Sequence, residues 1–216
     1  MEWLFEIHTK TRIMAEKYEW RKAEKSYYSP DTKPQLVKTP SFKFFTLSGK
    51  GNPNDAFFPE YIQCLYSLSY ALKIQWKKEN GFDYAVYPLE GIWELPAPTN
   101  PENGFIKDNL IFNLMIRQPD FVSEEYAATI MQKVKIKKPH PLLEKVKFVT
   151  IEDGLCVQML HIGSYDNEPE SFAKMNAFAQ QNNLSRINAV HREIYLSDAR
   201  KVQPEKLKTI LRFQVK

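Results

Sequence analysis

The sequence predicts an α+β fold built from duplicated βαββ units with pseudo-twofold symmetry, antiparallel sheets and helices on one face. Three observations lead there. A phrase occurs twice: Phe44-Phe45-Thr46-Leu47-Ser48-Gly49 precedes a long helical stretch and Leu89-Glu90-Gly91-Ile92-Trp93, and Val157-Gln158-Met159-Leu160-His161-Ile162-Gly163 precedes another helix and Arg192-Glu193-Ile194-Tyr195-Leu196. Apolar residues recur at three and four positions inside the intervening stretches, which is the helical period. The flanking segments are rich in β-branched and aromatic residues and end at Gly, Pro, Asn or Asp, as strands do.

In chain order, residues 14 to 26 alternate charge at helical spacing, and Pro30, Pro34 and Pro40 forbid a continuation, so a short helix and tether lead the chain. Ser41 to Gly49 reads as a strand closed by the turn Gly49-Lys50-Gly51-Asn52-Pro53-Asn54. Phe58, Ile62, Leu65, Leu68, Leu72 and Trp76 form the buried stripe of the next helix. Tyr84 to Trp93 and Asn109 to Arg117 read as strands, joined by a long hairpin loop over Pro96 to Asn103. Ser123-Glu124-Glu125 caps a connecting helix that ends near Lys138, before Pro139 and Pro141. Leu155 to Ile162 is a strand, Asp166-Asn167-Glu168-Pro169 caps a helix with the stripe Phe172, Met175, Phe178 and Ala179, and Ala189 to Leu196 and Leu207 to Val215 are the last strands. The division is an N-terminal extension over 1–40 and one domain over 41–216, with repeat one at about 42–117, a connector at 118–154 and repeat two at about 155–215.

Composition narrows the classes of function. With 43% hydrophobic and 26% charged residues, the 216-residue chain can bury a proper core. The 30 basic and 26 acidic residues are intermixed and leave only +4, which argues against direct nucleic-acid binding. Cys64 and Cys156 sit in apolar contexts without metal-ligand spacing, so they read as buried free thiols, and neither a metal nor a cofactor is expected. Glu2 and Glu6 stand where a signal peptide carries positive charge, and no segment is apolar over a membrane-spanning length. The expected setting is a reducing cytoplasm, without membrane contact; a homodimer is one option the sequence leaves open.

The two-residue period of a strand places His191, Glu193 and Tyr195 on one side and Arg192, Ile194 and Leu196 on the other. Two helix-bearing units leave one sheet face free, and the polar-aromatic side is the candidate pocket wall. Glu90 and Trp93 are one residue out of phase. A bulge at Gly91 would align them with Glu193 and Tyr195. Paired acids among aromatics suit a flat, apolar or cationic small molecule, and a desolvated carboxylate has the raised pKa of a general base for water. The plainer alternative makes Trp93 and Tyr195 core aromatics and Glu193 a solvated strand residue. His161 and Tyr165 have a similar alternative, as a strand end with a tyrosine packed over a turn. Gly49-Lys50-Gly51 lacks the rest of a phosphate loop and reads as a turn.

The stretches His161 to Pro169, His191 to Arg200 and Pro204 to Arg212 resemble signatures of the GyrI-like small-molecule-binding family. Leu89 to Trp93, Gly49 to Asn54 and Lys17 to Lys22 resemble its stand-alone branch, and the likeness runs from about Lys17 to the C-terminus. It implies a duplicated βαββ fold with a ligand cleft between the repeats. Relatives act as drug-sensing effector domains of transcription regulators, as gyrase inhibitors, and as hydrolases that open cyclopropanoid genotoxins. Glu193 matches the pocket glutamate of the effector domains, whereas Ala199 stands where many relatives have proline. No helix-turn-helix pattern is read upstream, which speaks against a complete transcription factor. The expected activity is therefore binding of planar aromatic or cationic molecules with hydrolytic ring opening, a detoxification. The alternative is a non-catalytic multidrug sensor or sequestering protein. Glu193 and Glu90 are the candidate catalytic pair, and Trp93, Tyr195, Tyr165, His191 and His161 the candidate ligand-binding residues.

Overall fold

A computed structural model describes residues 17–94 and 107–216. The hairpin loop expected over Pro96 to Asn103 lies outside the described residues, as do residues 14 to 16 of the expected leading helix. From Trp20 onward that segment forms two single turns, α1 (Trp20–Ala23) and α2 (Lys25–Tyr28), broken at Glu24. Strand β1 (Gln35–Lys50) follows, then α3 (Phe58–Asn80), β2 (Leu89–Glu94), β3 (Ile111–Gln118), α4 (Glu124–Lys137), β4 (Lys147–Ile162), α5 (Glu168–Gln181), β5 (His191–Tyr195) and β6 (Lys208–Gln214). The order βαββ therefore occurs on either side of α4.

The helix boundaries follow local chemistry. Pro59 lies in the first turn of α3, and Gly81 ends it with φ of 67°, a left-handed conformation that glycine adopts without strain. Ser123 caps α4 by accepting from the Tyr126 N–H at 3.1 Å.

The strands depart from expectation in extent and in closure. β1 and β4 each run for 16 residues and pair from Gln35↔Gln158 to Thr46↔Lys147, so both begin well before Ser41 and Leu155. Pro40 sits inside β1, between the paired Thr39 and Ser41, where its missing N–H leaves a gap in the ladder. Conversely, the strand expected from Tyr84 starts only at Leu89; Tyr84 makes an isolated bridge with Tyr18. Instead of a sheet with a free face, the strands close into a barrel in the order β1-β3-β2-β5-β6-β4, every pair antiparallel.

Six strands enclose room for side chains only, so the helices must pack outside. Leu65, Leu68 and Leu72 of α3 cluster with Phe45, Leu47, Phe112, Leu114 and Ile116 on the outside of β1 and β3. Met175 and Ala179 of α5 cluster with Val157, Met159, Leu211 and Phe213 outside β4 and β6. The alternate residues fill the interior. There Arg192 binds Glu90 and Asp153, each at 2.8 Å, Arg212 donates to Gln158 at 2.8 Å, and Arg117 stacks 3.4 Å over Phe42 and pairs with Glu24. Tyr28 of α2 donates to Glu90 at 3.2 Å, so the N-terminal turns cover one end of this network.

Candidate functional site

The register of β2 with its two neighbours runs without interruption from Leu89↔Ile116 to Glu94↔Ile111 and from Glu90↔Ile194 to Trp93↔His191. The expected bulge at Gly91 is absent. Gly91 and Trp93 therefore share the outer face with His191, Glu193 and Tyr195, while Glu90 points into the barrel, 1% exposed and held by Arg192 and Tyr28. Glu90 is thus separated from Glu193 by the thickness of the sheet. The role of Gly91 is one of space: a Cβ there would lie 2.6 Å from Trp93 Nε1 and 3.2 Å from the Tyr195 hydroxyl.

Those two atoms meet above the glycine. The Trp93 indole N–H donates to the Tyr195 oxygen at 2.8 Å, and the Tyr195 hydroxyl donates to Glu193 Oε2 at 2.7 Å. His191 Nε2 lies 3.0 Å from Glu193 Oε1, so it carries the hydrogen. Phe58 and Phe112 hold the indole, with ring centroids at 6.0 and 5.7 Å, and the half-exposed Tyr165 meets Tyr195 edge-on at 6.0 Å. Phe172 braces His191 at 4.7 Å.

A second carboxyl completes the group. Glu168, the first residue of α5, is 6% exposed against 8% for Glu193. Burial first, and then the charge of Glu193 and a hydrogen bond with it, push its pKa up to about 10. Glu168 accordingly holds its proton at neutral pH. Burial and Glu193 also raise Tyr195 well above its ordinary value, and burial raises Tyr165 to about 12, so both phenols stay protonated.

His161 is on the same outer face but turned away from this group. Its Nε2–H donates to the Ser164 carbonyl at 3.0 Å, which leaves Nδ1 to accept from Ser171 at 2.9 Å. It pins the turn Tyr165–Asn167 to the first turn of α5, and so positions Tyr165 and Glu168. Ser164, not Asp166 or Asn167, supplies the side-chain cap there, accepting from the Asp166 N–H at 3.3 Å.

The GyrI-like small-molecule-binding domain model matches residues 32–216. This chain belongs to the GyrI-like family. Two Listeria innocua structures are similar over 93% of this GyrI-like chain and 100% of their own: an uncharacterized conserved protein at 35% identity with a TM-score of 0.84, and a hydrolase at 34% identity with a TM-score of 0.81. The EcmrR C-terminal domain shares the fold, with a TM-score of 0.50 at 15% identity over 85% of this chain and 97% of its own. No curated protein matches the chain.

Glu168 was expected only as a helix-capping residue. Nothing in its local sequence distinguishes it from any acid before a helical proline; its meeting with Glu193 is a long-range contact. Among the described residues no cluster of His, Cys, Asp and Glu is suited to a metal ion, and no helix is long and apolar enough to cross a membrane.

Proposed function

We propose that this GyrI-like domain binds planar aromatic or cationic molecules on the outer face between α3 and α5 and hydrolyses cyclopropanoid electrophiles there, as a cytoplasmic detoxifying enzyme. The observation that carries the reading is the buried Glu168–Glu193 pair beside the Trp93–Tyr195 hydrogen bond. The Listeria innocua hydrolase supports it at 34% identity. The buried, unpaired Cys64 and Cys156 suit a reducing compartment.

In this reading a planar ligand displaces Phe58 or Tyr165 and stacks against Trp93. Glu193 takes a proton from water as the water oxygen bonds to a ring carbon. The ring C–C bond breaks, and its electron pair moves into the conjugated system, where Glu168 delivers its proton. Tyr195 and His191 orient Glu193. Glu193→Gln keeps size but removes basicity, so turnover is expected to fall on the order of 100-fold or more while planar ligands still bind. The deciding measurement is mass spectrometry of a cyclopropanoid alkylator after incubation with the protein. A ring-opened product heavier by one water supports hydrolysis; binding without that product leaves the sensor or sequestration function, for which a buried Glu193 hydrogen-bonded by His191 and Tyr195 is sufficient.

The fold also supports an internal duplication. Exchanging β1 with β4, β2 with β5 and β3 with β6 turns the strand order into its own reverse, as a twofold axis between β2 and β5 requires. Superposition of 42–117 on 155–215 tests it.

A further inference from the structure

The Glu168–Glu193 pair is under-provided with positive charge. On β5, Glu193 receives His191 and Tyr195; on the turn before α5 lie Asp166 and Tyr165; on β4, His161 is committed to Ser164 and Ser171. Asp198, beyond β5, is held by Arg200, and among the described residues Lys107, before β3, pairs with Asp166 at 3.5 Å. From β2 comes the neutral Trp93 and from α3 the neutral Phe58. Glu168 Oε1 is buried and receives no hydrogen bond among the described residues. Two facing carboxyls with an unused buried oxygen are one positive charge short of ionising together.

Resting on the small-molecule reading of this face, we propose that Glu168 and Glu193 hold one shared, exchangeable proton and that a planar monocation enters by displacing it to solvent. The exchange is balanced. Before binding the pair comprises two carboxyl groups and one proton; afterwards it comprises two carboxylates and one organic cation, with the same net charge. The O–H bond of Glu168 breaks and its proton passes to water or buffer. A neutral planar ligand leaves the proton in place and takes a hydrogen bond from it. The raised Glu168 value fits a pair that keeps this proton across the neutral range.

The test uses N-methylacridinium, a permanent cation, and acridine, which is uncharged at about pH 8. Calorimetric titration of the whole chain in two buffers of different ionisation heat counts the protons. The expected result is release of about one proton per N-methylacridinium, an affinity that rises about tenfold per pH unit through the neutral range, and no release with acridine. Glu168→Gln should abolish the release and flatten the pH dependence; the proton count on the unaltered protein decides the question even if that variant does not fold. Cation binding without proton release overturns the exchange and leaves the small-molecule reading intact. Failure of both probes to bind overturns both.

Discussion

The geometry around Gly91 turns on a single missing methyl group. A Cβ 2.6 Å from Trp93 Nε1 forces the indole away from Tyr195, so Gly91→Ala should break a hydrogen bond that orients both the stacking surface and Glu193. Affinity for a planar dye is expected to fall about tenfold, and denaturant unfolding should show a loss on the order of 1–3 kcal/mol, since the buried indole, held between Phe58 and Phe112, loses its acceptor. Trp93→Ala removes the ring itself and should cost about 1–3 kcal/mol of dye binding, on the scale of one buried apolar side chain. Fluorescence titration measures both. The assignment of Trp93, Glu193 and Tyr195 to a common face follows from strand periodicity together with true register; the sequence suggests the same grouping but reaches it through a bulge that the ladder does not contain.

At the scale of the helix, the first turn of α5 sets two influences on Glu168 against each other. A helix N-terminus favours a carboxylate by about 0.3–1 kcal/mol, whereas burial beside Glu193 favours the acid and pushes its pKa up to about 10. Because the folded group binds its proton more tightly than the unfolded one, it contributes stability that is complete below the ordinary carboxylate range and is lost as the pH rises toward about 10. Urea unfolding of the wild type should therefore weaken between about pH 5 and pH 10 relative to Glu168→Gln, whose amide can donate to Glu193 at any pH. A difference between the two proteins that does not change with pH would mean that Glu168 is ionised in the fold. The α3 stripe and the Ser123 cap were legible because both are written within one turn of chain. The Glu168 contact was not, since its partner is supplied by β5.

Over the whole molecule, barrel closure explains what alternation could not reveal. In an open sheet with one free face, alternation puts Arg192 on the covered side and a bulge puts Glu90 on the free one; in a closed barrel without that bulge both point inward, where polar residues must find one another. Glu90, Asp153 and Glu24 thus answer Arg192, Arg212 and Arg117. Removing one member strands a buried charge. Glu90→Ala should destabilise the domain by about 3–5 kcal/mol in denaturant unfolding, because Arg192 would keep only Asp153 and Tyr28 would lose its acceptor. An effect confined to turnover, with stability unchanged, would instead return Glu90 to the chemistry.

The seam between β2 and β5 also has a consequence in time. Trp93 belongs to the strand that precedes α4 and Tyr195 to one that follows it, and ladder pairs such as Gln35↔Gln158 join equally distant parts of the chain. Such non-local pairing makes folding slow, in the range of milliseconds to seconds. The indole N–H meets its phenol only once β2 and β5 have paired, so the environment of that tryptophan reports the closure of this seam. On the proposed reading of this face, a chain whose seam is still open has no place to hold a ligand.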